Sequence, residues 1–321
     1  MIPAPVLAAW RGRAPWRDDR QVAQDLILSI LAIRVAVHPQ LATRLAWRGG
    51  TCLHKLHLDR PRRYSEDLDY VLVGDVPHGS IRDGLRETVT SLGMQCEREE
   101  VSPNRVNMWG TIHVPAADAS VRVKFEVNCA DIDPVFELVR LRHGVNTRVW
   151  KEEAEILTFR APELLATKFR ALAQRRKGRD LSDLWLARRE LQIVDGDLAV
   201  AADHYLQDAG VPPAQLRERL AGHGRDPEFG SDLEALTLSP YEGFEFAEAT
   251  RELIQWTDAH LDPLHNARRN PNAVRREQQR WEQEGGWATG KVRCPEYAHQ
   301  EGNLSRCLHW YNEDESCPLH G

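Results

Sequence analysis

The chain has 321 residues, 42% of them hydrophobic and 28% charged, with a net charge of −6. That length supports a buried core without covalent staples, and the slight acidic excess excludes a protein that coats nucleic acid wholesale. No apolar run approaches the ~18 residues of a membrane helix, and the N-terminus lacks the pattern of a secretory leader, so no membrane partner is expected and the cytoplasm is the expected compartment.

In chain order, residues 19–46 read as helical, with Ile27, Ile30 and Leu31 at helical spacing before His38-Pro39 breaks the pattern. Trp47-Arg48-Gly49-Gly50-Thr51 is a turn that leads into a short amphipathic stretch ending near Leu58. A basic connection, Asp59 to Arg63, precedes the apolar run Leu68 to Val73, which reads as a strand. Residues 77–93 look helical. Residues 94–129 read as sheet, and Val121 to Val127 alternate cleanly between apolar and polar. From Pro162 to about 285 the pattern is helical again. The expected fold class is therefore α+β: a mixed sheet with helices over residues 1–155, then a mainly helical domain over 156–285. Residues 286–321 form a Cys/His-rich appendage with little periodicity.

Two short motifs stand out. Paired glycines at Gly49 and Gly50 let backbone amides approach a ligand closely, and the Thr51 hydroxyl beside them can bond a phosphate oxygen; alone, such a tripeptide is commonly only a turn. Asp67 and Asp69 are two apart, so on a strand their carboxylates share a face and repel unless a cation lies between them. Hard oxygen donors of this kind suit Mg²⁺ that also holds substrate phosphates, although a bare Asp-x-Asp is more often surface charge. Glu126, with Asp131 or Asp133 behind it, is the candidate third carboxylate, or else a solvent-facing strand residue.

A third block starts at Pro162. Leu165, Lys168, Phe169 and Leu172 share a helix face, and a lysine among core residues needs an anionic partner. Asp180 and Asp183, three apart, can supply one. Charge concentrates around these motifs. Residues 44–63 carry six cations against Asp59, and residues 160–190 carry nine against four anions, while the whole chain is net negative. This is the footprint expected of an RNA substrate, with Arg62, Arg63, Arg175, Arg176, Lys177 and Arg179 as candidate RNA contacts.

A glycine–hydroxyl turn, a short helix and Asp-x-Asp opening a strand resemble the polymerase β-type nucleotidyltransferase superfamily. With Trp-Arg-Gly-Gly-Thr-Cys-Leu, Arg-Tyr-Ser-Glu-Asp-Leu-Asp-Tyr, Leu-Leu-Ala-Thr-Lys-Phe-Arg-Ala-Leu and Arg-Asp-Leu-Ser-Asp-Leu all in view, the chain resembles the AbiEii/AbiGii (MenT-like) family of toxin nucleotidyltransferases. The resemblance implies a nucleotide site of Gly49, Gly50, Thr51, Ser65 and Lys168, a two-metal Mg²⁺ site at Asp67, Asp69 and Glu126, and catalytic roles for Asp67, Asp69, Lys168 and Asp183, the last as a base. It implies transfer of NMP from NTP to the 3′ end of tRNA, which blocks translation, and a cognate antitoxin as partner. The alternatives are a nucleotidyltransferase or kinase-like enzyme that modifies a protein or small molecule, and a non-catalytic nucleotide-binding interaction protein.

Six cysteines in a cytosolic chain argue against a disulfide framework. Cys294, Cys307, His309 and Cys317 could close a tetrahedral Zn²⁺ site, but their spacing matches no standard finger; chance Cys and His in a tail is the other reading.

Overall fold

The computed structural model describes residues 2–130, 134–234, 236–237, 241, 243–269 and, for the backbone alone, 291–293 and 310–312. The Cys and His residues of the expected zinc site, and Asp131 and Asp133, lie outside the described residues. The chain divides into two compact units: Met1–Leu164 with Leu233–Pro240, and Leu165–Asp232 with Tyr241–Gly321.

The first unit opens with α1 (Ala4–Trp10) and α2 (Asp19–Val37). Asp18 caps α2 by accepting the Gln21 N–H at 2.8 Å. The helix stops at His38, whose extended backbone is what a following proline requires. From Val22 to Ile33 every residue of α2 is buried, because the helix has the sheet on one side and α1 on another.

Next come β1 (Leu45–Arg48), the one-turn α3 (Gly49–Cys52), a π-turn (Leu53–His57), β2 (Asp67–Leu72) and α4 (His78–Ser91). Five strands follow: β3 (Gln95–Ser102), β4 (Arg105–Val114), β5 (Ala119–Asn128), β6 (Val139–Asn146) and β7 (Lys151–Thr158). They form one seven-stranded mixed sheet in the order β3-β4-β5-β2-β1-β7-β6. β2 lies between β1, antiparallel to it, and β5, parallel to it. The polar–apolar alternation of β5 is two-sided in fact: Val121, Val123, Phe125 and Val127 are buried, while Arg122, Lys124 and Glu126 stand on the other face. β6 and β7 are absent from the sequence-based expectation. Both alternate with charged residues, and β6 is an edge strand, where such residues are placed to discourage further pairing.

The second unit is helical: most of α5 (Ala161–Gln174), then α6 (Gly178–Glu190), α7 (Asp195–Asp208) and α8 (Pro213–His223), and, after the short α9 (Ser231–Glu234), α10 (Phe246–Trp256) and α11 (Asp262–Arg269). Lys291–Arg293 and Trp310–Asn312 pair as a two-stranded antiparallel ribbon, β8 and β9. The molecule is thus of the α+β class. Among the described residues no helix is long and apolar enough to cross a membrane.

Candidate active site

β1 ends at Arg48, directly opposite Asp69 of β2. The chain must then turn sharply into α3, and Gly49 takes a left-handed φ of +83° to do so. A side chain here would also collide with the Asp69 carboxylate, and one on Gly50 would collide with the Arg63 guanidinium. The glycine pair therefore lets one acid and one base lie flat against the turn. Arg63 is buried, and it donates to the Tyr64 carbonyl at 3.1 Å. Its position differs from the exposed RNA contact that the basic run 60–63 suggests; Arg62 is exposed.

Thr51 is fully buried, with its hydroxyl 2.7 Å from both the Ser65 hydroxyl and the Asp67 carbonyl. One hydroxyl has one proton. That proton is shared between the two acceptors. Thr51 thus ties the turn to the first residue of β2, which fixes where the aspartates stand. Cys52, one residue on, packs beneath the turn against Thr158 at 3.1 Å, and burial pushes its thiol up to about 12, so it is a core residue rather than a nucleophile.

Asp67 and Asp69 share one face of β2. Asp67 has a solvent-exposed side, yet crowding by protein, then the Asp69 charge, pushes its carboxyl up to about 6, with Lys124 opposing. Two like charges side by side on one strand face are what a divalent cation relieves, and the donors are hard oxygens. The pair therefore fits Mg²⁺. Lys124 and Glu126 stand directly opposite Asp67 and Asp69 on β5. Glu126 is bonded to Lys124 and lies 3.5 Å from Arg105; burial raises its pKa, but these cations outweigh that and hold the carboxyl below its ordinary value. Among the described residues no group of three or more His, Cys, Asp or Glu side chains is gathered as for a metal.

In the second unit, Lys168 is buried and reaches Asp183 at 2.8 Å and Asp180 at 3.2 Å, both with fully buried side chains. This meets the demand that a lysine on an apolar helix face have an anionic partner. Arg175 adds a second cation at 2.9 Å from Asp180. Burial raises the Asp180 carboxyl, but Lys168 and Arg175 outweigh it and hold the group below its ordinary value. Arg176 pairs with Asp226, and Arg179 lies 3.7 Å from Asp232, so these two cations of the expected RNA contacts are also engaged by carboxylates; Lys177 is exposed.

The model of the nucleotidyl transferase AbiEii toxin family, type IV toxin–antitoxin system, matches residues 30–283. The chain belongs to this family. Membership makes it a nucleotidyltransferase, and the matched stretch takes in the glycine turn, the aspartate pair and the Lys168–Asp183 block. No curated protein matches the sequence. Among solved structures, MenT4, a nucleotidyltransferase toxin of Mycobacterium tuberculosis, is similar over 78% of this chain and 89% of its own, at 16% identity and a TM-score of 0.57. JHP933 of Helicobacter pylori is similar over 81% of this chain and all of its own, at 15% identity and a TM-score of 0.47.

Three features of the site are not legible as motifs. Arg63 against Gly50 and Lys124 against Asp67 depend on tertiary approach and strand register. The use of Thr51 as an internal tie depends on where β2 begins. The alternation of residues 121–127 carries a partial signal, since it puts Lys124 and Glu126 on one face without saying which strand they meet.

Proposed function

We propose that this AbiEii-family chain transfers a nucleoside monophosphate from an NTP to the 3′ end of an RNA, a tRNA in the first instance, in a Mg²⁺-dependent reaction in the cytoplasm, and that a cognate antitoxin restrains it. One observation carries the proposal: Asp67 and Asp69 project from one face of β2 while Asp69 lies against the glycine turn. A triphosphate seated on the Gly49–Gly50 backbone meets the carboxylate pair directly. Bound there, Mg²⁺ supplies activation of the attacking hydroxyl and neutralisation of the departing pyrophosphate.

The chain's own residues do the positioning. Thr51 and Ser65 hold the turn and β2 in register. Lys124 offsets part of the charge on Asp67. The acceptor oxygen bonds to the α-phosphorus, the bond to the β-phosphate oxygen breaks, and pyrophosphate leaves. Lys168 as a triphosphate contact and Asp183 as proton acceptor belong to the same proposal, as does Glu126 as a third metal ligand. Inhibition of translation follows if the acceptor is the tRNA end that must carry an amino acid.

Asp67→Asn keeps the size of the side chain and removes a metal ligand. It should lower transfer at least about a hundredfold while leaving the melting curve intact. Calorimetric titration of Mg²⁺ with a non-hydrolysable NTP should show weakened binding in the same variant. A normally folded Asp67→Asn protein with wild-type activity would sink the assignment.

A further inference from the structure

The face of the sheet that carries the aspartates continues beyond them. In register, Asp67 stands opposite Lys124, Lys124 opposite Trp109 of β4, and Trp109 opposite Arg98 of β3. Trp109 is half-buried, and three cations crowd its ring: Arg98 at 5.2 Å, Lys124 at 5.7 Å and Arg122 at 5.8 Å from the centroid. The neighbouring Gly110 faces Val89 of α4, so Trp109 points to the opposite side of the sheet from that helix. The side chains of Arg98 and Arg122 are 63% and 57% exposed. An amphipathic indole ringed by cations on an open face is a surface built for stacking, not for the core.

Its location gives it a task. The glycine turn follows β1, on one side of β2, whereas β5 and β4 lie on the other. In-line displacement places the entering oxygen opposite the leaving pyrophosphate. A triphosphate anchored at the glycine turn therefore receives its acceptor from the β5–β4 side. Trp109 lies there two strand spacings from Asp67, roughly 10 Å.

We infer that the Trp109 face, with Arg98, Arg122 and Lys124, is the platform that holds the acceptor, a single-stranded 3′ segment of RNA with a base stacked on the indole. This rests on the reading of the chain as an RNA nucleotidyltransferase. A single strand fits because a duplex hides the faces of its bases. Each cation has a carboxylate neighbour in the free protein: Arg122 with Glu97 at 2.8 Å, Arg98 with Glu100, Lys124 with Glu126. The two arginine pairs are exposed, and such pairs are weak and exchange readily for phosphate. Stacking on Trp109, rather than net charge, is the principal contact.

The test compares Trp109→Ala, Trp109→Phe and Arg98→Glu with the wild type. The readouts are fluorescence anisotropy with a labelled single-stranded RNA oligonucleotide, the same with a blunt duplex, and KM for acceptor and for NTP. Trp109→Ala should weaken single-strand binding and raise the acceptor KM about tenfold with the NTP KM unchanged, and Trp109→Phe should restore most of the loss. Arg98→Glu, at an exposed position that leaves folding intact, should weaken binding in the same direction. Wild-type RNA affinity in both Trp109→Ala and Arg98→Glu, in an enzyme that labels RNA, overturns the platform and leaves the proposed function standing. Equal duplex and single-strand affinity also overturns it. A wild-type enzyme that labels protein and not RNA overturns the platform and the proposed function together.

Discussion

Gly50 and Arg63 make a pair whose coupling can be measured. A methyl on Gly50 displaces the guanidinium that lies against it, so Gly50→Ala should reduce transfer by at least about tenfold. If the collision is the cause, Gly50→Ala added to Arg63→Ala should cost little beyond Arg63→Ala alone, because contacting residues are not additive. Full additivity in the cycle would contradict the contact. A second residue-scale prediction concerns acid. His143 is buried against Trp47, and burial lowers its pKa from 6.5 to about 3, with the nearby Lys55 charge acting the same way. The unfolded chain protonates this group near pH 6.5 and the folded one does not. Its contribution is therefore fully present above pH 6.5 and is lost as pH falls towards 3. His143→Phe should flatten that part of the stability curve, as read by melting temperature against pH; an unchanged slope would contradict it. The glycine pair and Asp67 and Asp69 are legible in the sequence because their chemistry is local, set by spacing along a few residues. Arg63, Lys124 and Trp109 are not, because nothing in their neighbours along the chain says what lies beside them in space.

Helix α2 is joined to the site by an internal ion pair. Lys55, in the π-turn after the glycine motif, donates to Asp25 at 2.7 Å and to Ser29 at 3.0 Å. Asp25 also accepts the indole N–H groups of Trp10 and Trp16, at 2.8 and 3.2 Å. Burial lowers the Lys55 pKa while Asp25 opposes it. Removing one member leaves a buried charge alone, so Lys55→Met should destabilise the fold by about 3–5 kcal/mol. The double variant Asp25→Leu with Lys55→Met should recover part of that loss, and chemical denaturation of the three variants decides it. A single variant as stable as the wild type would contradict a buried pair. At this scale the sequence displays α2, α4, β2 and β5 through their apolar periodicity. It conceals β6 and β7, where alternating charge on paired strands reads as loop. It also conceals Lys55, which looks like one more cation in a basic run until the α2 carboxylate is placed beside it.

At the scale of the molecule, the α+β class follows from the order of patterns, helix then alternating strands then helices. The unit boundary is less accessible. The first unit extends to Leu164 rather than 155 and takes back the segment at 233–240, where Tyr64 donates to the Leu236 carbonyl at 2.7 Å and Arg17 to the Thr237 carbonyl at 3.0 Å. A return of this kind rests on backbone carbonyls, which any sequence can offer, so no residue pattern announces it. The basic clusters were legible as charge but not as availability: Arg175, Arg176 and Arg179 each have a carboxylate neighbour within the second unit. The account as a whole stands on the aspartate pair acting on an NTP seated at the glycine turn. Its most direct test is incubation of the wild type with total tRNA, Mg²⁺ and NTP labelled at the α- or the γ-phosphate. The account predicts α-label on RNA, no γ-label anywhere but in released pyrophosphate, and neither in the Asp67→Asn variant. γ-Label on protein, or α-label transferred equally well by Asp67→Asn, would contradict it.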